Sequence, residues 1–176
     1  MAKAAAARIQ YEAGDGFISY PAPLYYIATM KPVDAEDNER IQRHRLEREG
    51  WGFMTMEQPV CIEEVLTKCD TGGSFLLDSL TALLANEMFP QGCDVDEGAA
   101  ARIIGGLSRV LDEIESIVIV SDYIYSDALI YDPLTELYRK SLAEIDCFAA
   151  RLCDVVVEIA YSGVVVHKNI QPVVSG

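Results

Sequence analysis

His44 stands four residues after Arg40 and four before Arg48, with Arg43 and Arg45 beside it. On a helix, Arg40, His44 and Arg48 share one face. Two guanidiniums disfavour a protonated imidazole between them and leave a neutral nucleophile near pH 7. The same guanidinium forks can each hold a pair of phosphate oxygens. That is equipment for attack on a nucleotide phosphate through a phosphohistidine-type intermediate. Spacing by itself favours a plainer reading, a solvated amphipathic helix that contains a histidine. Asp78 closes the apolar run Ser74-Phe75-Leu76-Leu77. An acid at the carboxyl end of a strand is where an open α/β sheet binds its ligand, and where phosphoryl-transfer enzymes hold Mg²⁺. The alternative is that Asp78 caps the helix starting at Ser79. Asp122 and Asp127 follow a second apolar run and read as solvated loop residues, and His167 as structural or exposed.

The elements that must position these groups are legible in outline. Tyr25-Tyr26-Ile27-Ala28-Thr29 reads as a short buried strand, and Ser116-Ile117-Val118-Ile119-Val120 as the strongest one. Residues 2–13 are helical in propensity. Asp34 is a candidate N-cap for a helix running to about Arg48 and broken at Gly50. Pro59 to Lys68 reads as a helix, as do 79–88 and 97–113, the last weakened by Gly105-Gly106. Asp132-Pro133 opens the clearest helix, with Leu134, Leu137, Tyr138, Leu142, Ile145, Phe148, Ala149 and Leu152 at helical spacing. Residues 154–167, with a Ser162-Gly163 turn, carry a hairpin signal. Strands alternating with helices imply one α/β domain over 1–176, its sheet covered on both faces.

Half of the 176 residues are apolar, and no run approaches the roughly 18 apolar residues of a membrane span. The N-terminus lacks a signal-peptide pattern, so a cytoplasmic protein is expected. Five scattered cysteines fit reduced thiols packed in a core. A net charge of −14 argues against nucleic acid or an anionic membrane as partner. Four of the 14 basic residues nevertheless fall between 40 and 48, which marks a local anion site.

The order of motifs is more specific than any one of them. Tyr26-Ile27-Ala28-Thr29, then Glu39-Arg40-Ile41-Gln42-Arg43-His44-Arg45, then Glu57, then Leu76-Leu77-Asp78-Ser79-Leu80-Thr81 resembles the bifunctional adenosylcobinamide kinase and adenosylcobinamide-phosphate guanylyltransferase family. The likeness continues through Ile117-Val118-Ile119-Val120-Ser121, Leu137-Tyr138-Arg139 and 149–164. It implies a three-layer P-loop NTPase-like core of the RecA type, with a mostly parallel sheet and a C-terminal hairpin. It implies that adenosylcobinamide is phosphorylated from GTP or ATP, and that GMP then passes from GTP to adenosylcobinamide phosphate. His44 matches the histidine that carries GMP. Ala28, Thr29, Arg40, Arg45, Arg48, Glu57 and Asp78 match the nucleotide site, with Mg²⁺ at Asp78. The family assembles as trimers, so a homotrimer is expected.

Two departures stand beside the likeness. The family often has Asn-Glu-Val-Gly where this chain has Asp122-Tyr123-Ile124-Tyr125. The phosphate-cradling pattern G-x-x-x-x-G-K-[ST] is absent, and Ala2–Ile9 read as the rest of the helix that should follow it. The expectation is a chain that begins about 15 residues late, counting an ordinary strand and the loop. The alternative is a non-catalytic relative that binds a corrinoid or nucleotide and has lost the loop.

Overall fold

A computed structural model describes residues 22–32, 35–125, 129–161 and 163–170. The expected helix over 2–13, the Asp34 cap, Asp127 and Ser162 lie outside the described residues, as does the Arg40 side chain. The strands are β1 (Leu24–Ala28), β2 (Phe53–Glu57), β3 (Ser74–Asp78), β4 (Ser116–Val120), β5 (Val155–Ala160) and β6 (Gly163–Asn169). The α-helices are α1 (Ala35–Glu47), α2 (Leu80–Met88), α3 (Ala99–Glu113) and α4 (Pro133–Leu152). β1 to β4 form a parallel sheet in the order β2-β1-β3-β4, and β5 and β6 form an antiparallel hairpin. This is the expected α/β architecture, a parallel sheet flanked by helices with a C-terminal hairpin, consistent with a P-loop-like core.

Strand alternation divides the sheet into a packing face and a chemical face. Ile27 pairs in register with Leu77 and Met56, and Phe75 with Ile117. These odd-numbered residues of β1 and β3 belong to one core with Leu80, Leu83 and Leu84 of α2, Ile103 and Leu107 of α3, and Leu142 and Ile145 of α4. Each fully buried Leu or Ile contributes about 1.5–3 kcal/mol, so this face is what holds the domain together. Ala28 pairs with Glu57 and Asp78, and Tyr26 with Thr55 and Leu76, all on the opposite face. β1 connects to β2 on one side while β3 connects to β4 on the other, so the strand order reverses between β1 and β3. Such a reversal opens a crevice at the carboxyl ends of those two strands.

α4 begins as its sequence implies. The Asp132 carboxylate accepts from the Leu134 and Thr135 amides, and Pro133 occupies the first turn. At its other end Lys168 Nζ donates to the carbonyls of Ala150 (3.1 Å) and Arg151 (2.9 Å), docking the hairpin on the orphan carbonyls of the last turn.

Several expectations need correction. Residues 59–68 do not form an α-helix; a 3-10 helix spans Ile62–Thr67. Gln58 Nε2 donates to the carbonyls of Val60 (2.5 Å) and Cys61 (3.2 Å), which an α-helix from Pro59 would have used itself. Glu57 ends an edge strand, unread from the sequence, whose Met54 and Thr55 are exposed. The helix expected over 97–113 is present as α3, and its Gly106 is where it meets Ile62 and Glu63. The cysteines are free as expected but are not in the core: Cys61, Cys93 and Cys147 are exposed, Cys69 and Cys153 half-buried.

Candidate functional site

The carboxyl ends of β1 and β3 are locked together by one side chain. Thr29, fully buried, follows β1 directly. Its hydroxyl donates to the Ser79 carbonyl (2.8 Å) and accepts from the Ser79 amide (2.7 Å). Its own amide donates to the Asp78 carbonyl at 3.1 Å, and its carbonyl accepts from Asn86 Nδ2 at 2.7 Å. Asn86 also donates to the Pro59 carbonyl at 3.0 Å, tying the end of β2 to the same point. With every polar group of Thr29 bonded inside the chain, this residue acts here by placing Asp78 and Ser79. Ala28 likewise accepts from the Gln58 amide at 2.9 Å.

Asp78 does not cap α2. Ser79 does, its Oγ accepting from the Ala82 amide at 3.3 Å. The Asp78 carboxylate is left to the chemical face, where Oδ2 accepts from the Tyr26 hydroxyl at 2.5 Å. Burial, and then the Asp78 carboxylate, push the Tyr26 hydroxyl far above its ordinary value, so it stays a donor throughout the physiological range. The Arg48 guanidinium lies over the Tyr26 ring, 3.4 Å from its centroid, and Phe53 meets that ring edge-on.

That position for Arg48 corrects the expected helical face. α1 ends at Glu47, and Arg48 N–H reaches back three residues to the Arg45 carbonyl (3.2 Å), not four to His44. Glu49 bonds Leu46 in the same tightened way, and Gly50 follows at φ 85. Arg48 thereby leaves the row of Arg40 and His44 and stacks on the sheet. His44 and Arg45 occupy the last turn of α1, His44 half-buried. Arg45 Nη2 bonds Glu57 Oε1, joining that turn to the end of β2. Both partners are largely exposed, so the pair contributes little to stability.

One end of the sheet therefore collects Thr29, Glu57 and Asp78, with Arg45 and Arg48 delivered from the end of α1. Guanidiniums held by a carboxylate on one side and an aromatic ring on the other are pre-oriented to take phosphate oxygens. Among the described residues no cluster of three acidic, His or Cys side chains could hold a metal by itself. Asp78 offers a single carboxylate, which suits Mg²⁺ bound mainly by nucleotide phosphates and water.

Asp122 is placed apart, its amide donating to Thr81 Oγ1 at 2.9 Å. It adjoins a polar group at the end of β4 in which Tyr125 donates to Asp146 Oδ2 at 2.9 Å and Tyr138 to the Thr81 carbonyl at 2.8 Å. Burial, reinforced by the carboxylates of Asp122 and Asp146, pushes the Tyr138 hydroxyl up to about 12. His167 is exposed on β6, 2.9 Å from Glu158 across the hairpin.

Sequence reasoning passed over Tyr26, Gln58 and Asn86. For Tyr26 a signal existed, since it lies two residues before Ala28 and hence on the same strand face. Asn86 had none, because its partners are the backbone carbonyls of Thr29 and Pro59. Gln58 had none either, because it joins the Val60 and Cys61 carbonyls to the Glu64 and Lys68 side chains, which local pattern does not reveal.

A family model described as cobinamide kinase / cobinamide phosphate guanyltransferase matches residues 12–167 of the chain. No curated protein in the comparison matches it.

Proposed function

The chain belongs to the cobinamide kinase / cobinamide phosphate guanyltransferase family, and we propose that it phosphorylates adenosylcobinamide and then transfers GMP to the product through His44. The observation that supports this reading is the convergence of Arg45–Glu57 and Arg48–Tyr26–Asp78 on one end of the parallel sheet. Four tethered charges from three segments of chain, next to the helical turn that carries His44, suit a nucleotide triphosphate.

In the kinase step the aminopropanol hydroxyl of adenosylcobinamide loses its proton and takes the γ-phosphoryl group of GTP or ATP, the bond to the β-phosphate oxygen breaking to release GDP or ADP. In the transfer step an imidazole nitrogen of His44 attacks the α-phosphorus of GTP. The N–P bond forms as the bridging P–O bond to the β-phosphate breaks, and pyrophosphate leaves. A phosphate oxygen of adenosylcobinamide phosphate then attacks the same phosphorus, forming the diphosphate link as the N–P bond breaks and the imidazole of His44 is regenerated. Arg45 and Arg48 would bind the phosphate oxygens and offset charge that develops on them, while Glu57 keeps Arg45 aimed. Arg40, one turn before His44, is the further cation of this set. Mg²⁺, held by Asp78 and the phosphates, would supply neutralisation of the triphosphate. Ala28 and Thr29 serve by fixing the strand ends on which the nucleotide sits. The same reading makes the chain a cytoplasmic homotrimer acting as a single domain; no helix among the described residues is long and apolar enough to cross a membrane.

The test is to incubate the protein with GTP labelled at the α-phosphate. Acid-labile label should appear on the protein and be lost in His44→Ala. Equal labelling of His44→Ala would remove His44 from its role.

A further inference from the structure

The pairing of β1 with β3 puts a tyrosine where the proposed metal ligand needs a partner. Tyr26 lies on the same face as Asp78 and one pleat earlier in the register, close enough for its hydroxyl to reach Oδ2 at 2.5 Å. The ring is buried, packed edge-on by Phe53 and covered by Arg48. One aromatic residue thus touches the anion and one of the cations of the same site.

We propose that Tyr26 is the positioning residue of the nucleotide site, its hydroxyl holding Asp78 as a one-oxygen metal ligand and its ring holding Arg48 for phosphate. The inference rests on the nucleotide-site reading above. With Oδ2 engaged by the phenol, Oδ1 is the oxygen that Asp78 would offer a cation. Hydrogen-bonded partners of this kind orient metal-ligating carboxylates and typically change metal affinity about 10-fold or more when removed. The ring acts on a different group by a different force, since a guanidinium over an aromatic face is held by the ring's quadrupole and by dispersion. The two functions can therefore be separated by substitution.

Mn²⁺ serves as the probe, titrated into the full chain with saturating GTP and followed by its electron paramagnetic resonance signal. GTP binding is measured separately in EDTA. Tyr26→Phe keeps the ring and should weaken Mn²⁺ about 10-fold. Tyr26→Leu should weaken Mn²⁺ to a similar degree and, in addition, weaken GTP binding in EDTA. Arg48→Ala should reproduce only the second effect, which gives a test that leaves the buried tyrosine in place. Thermal unfolding of each variant separates these effects from loss of fold. If Asp78→Asn abolishes Mn²⁺ binding while Tyr26→Phe leaves it at the wild-type value, the positioning role is refuted and the metal role of Asp78 stands. If Asp78→Asn itself changes nothing, the metal reading of Asp78 falls and the role of Tyr26 falls with it.

Discussion

The Thr29 hydroxyl both donates to and accepts from the backbone of Ser79, at 2.8 and 2.7 Å, across the gap between β1 and β3. The residue is fully buried, so water cannot replace either bond. Thr29→Val, nearly the same shape without the hydroxyl, should destabilise the domain by about 2–3 kcal/mol by leaving the Ser79 amide and carbonyl without partners. Thr29→Ser keeps both bonds and loses a methyl, so its cost should be about 1 kcal/mol. Urea unfolding of the two variants checks the order. Equal losses would mean that packing, not the hydroxyl, is what Thr29 provides.

What was legible beforehand follows from how local each signal is. The start of α4 is written in adjacent residues, an N-cap carboxylate at Asp132 and a proline after it, and both act as read. Strands β1, β3 and β4 are apolar runs that announce themselves. The edge strand β2 is mixed, because Met54, Thr55 and Glu57 face solvent, and its composition resembles a loop. Glu57 and Asp78 could be named as acids at a site from motif order. That Asp78 is engaged by Tyr26 could not, since it depends on the register of two strands separated by 52 positions in sequence. Arg48 was misplaced for a subtler reason. The change from i→i−4 to i→i−3 bonding at the end of α1 turns a side chain off its helical row with little warning in composition.

The ion pair between Arg45 and Glu57 offers a way to tell a structural pair from a functional one. Both side chains are about half exposed or more, so solvent screens the attraction. Arg45→Gln and Glu57→Gln should each shift the unfolding free energy by less than about 1 kcal/mol. Arg45→Gln should nonetheless weaken GTP binding about 10-fold, the loss expected when a charge-assisted contact to phosphate is removed. Calorimetric titration with GTP, beside urea unfolding, measures both. A large stability loss with unchanged affinity would make the pair a structural clamp.

Gly105 and Gly106 are neighbours on α3 with opposite surroundings. A Cβ on Gly105 would meet nothing within 4 Å, and the position is exposed. Gly105→Ala should stabilise by about 0.5–1 kcal/mol through helix propensity and lost unfolded-state freedom. A Cβ on Gly106 would come within 2.9 Å of Ile62 Cγ2 and 2.6 Å of Glu63 Oε2. Glu63 can swing away, but Ile62 is almost fully buried and cannot. Gly106→Ala should therefore cost about 1–3 kcal/mol from overpacking, in spite of the same gain in propensity. Thermal melts of the two variants should move in opposite directions. A stabilised Gly106→Ala would show that the 3-10 segment carrying Ile62 yields easily.

Asp146 makes stability depend on pH in a direction opposite to most carboxylates. Burial raises its ionisation above the ordinary range, and hydrogen bonds from Ser121 and Tyr125 work against this, while the nearby Asp122 adds to it. The unfolded chain releases this proton near the usual value of about 3.9. Between that value and the higher one in the fold, the native state binds more protons, so stability falls as pH rises through the window. Asp146→Asn cannot ionise, and it keeps an oxygen to accept from Tyr125. Its amide can also donate to the buried Ser121 Oγ, which lies beside the Asp146 carboxyl group. The variant should lie close to the wild type in stability at about pH 4 and exceed it at about pH 7, where the unfolded wild-type chain has released a proton that the fold binds more tightly. Urea unfolding at the two pH values measures the difference directly. A difference that does not change with pH would show that Asp146 ionises as easily in the fold as in the open chain.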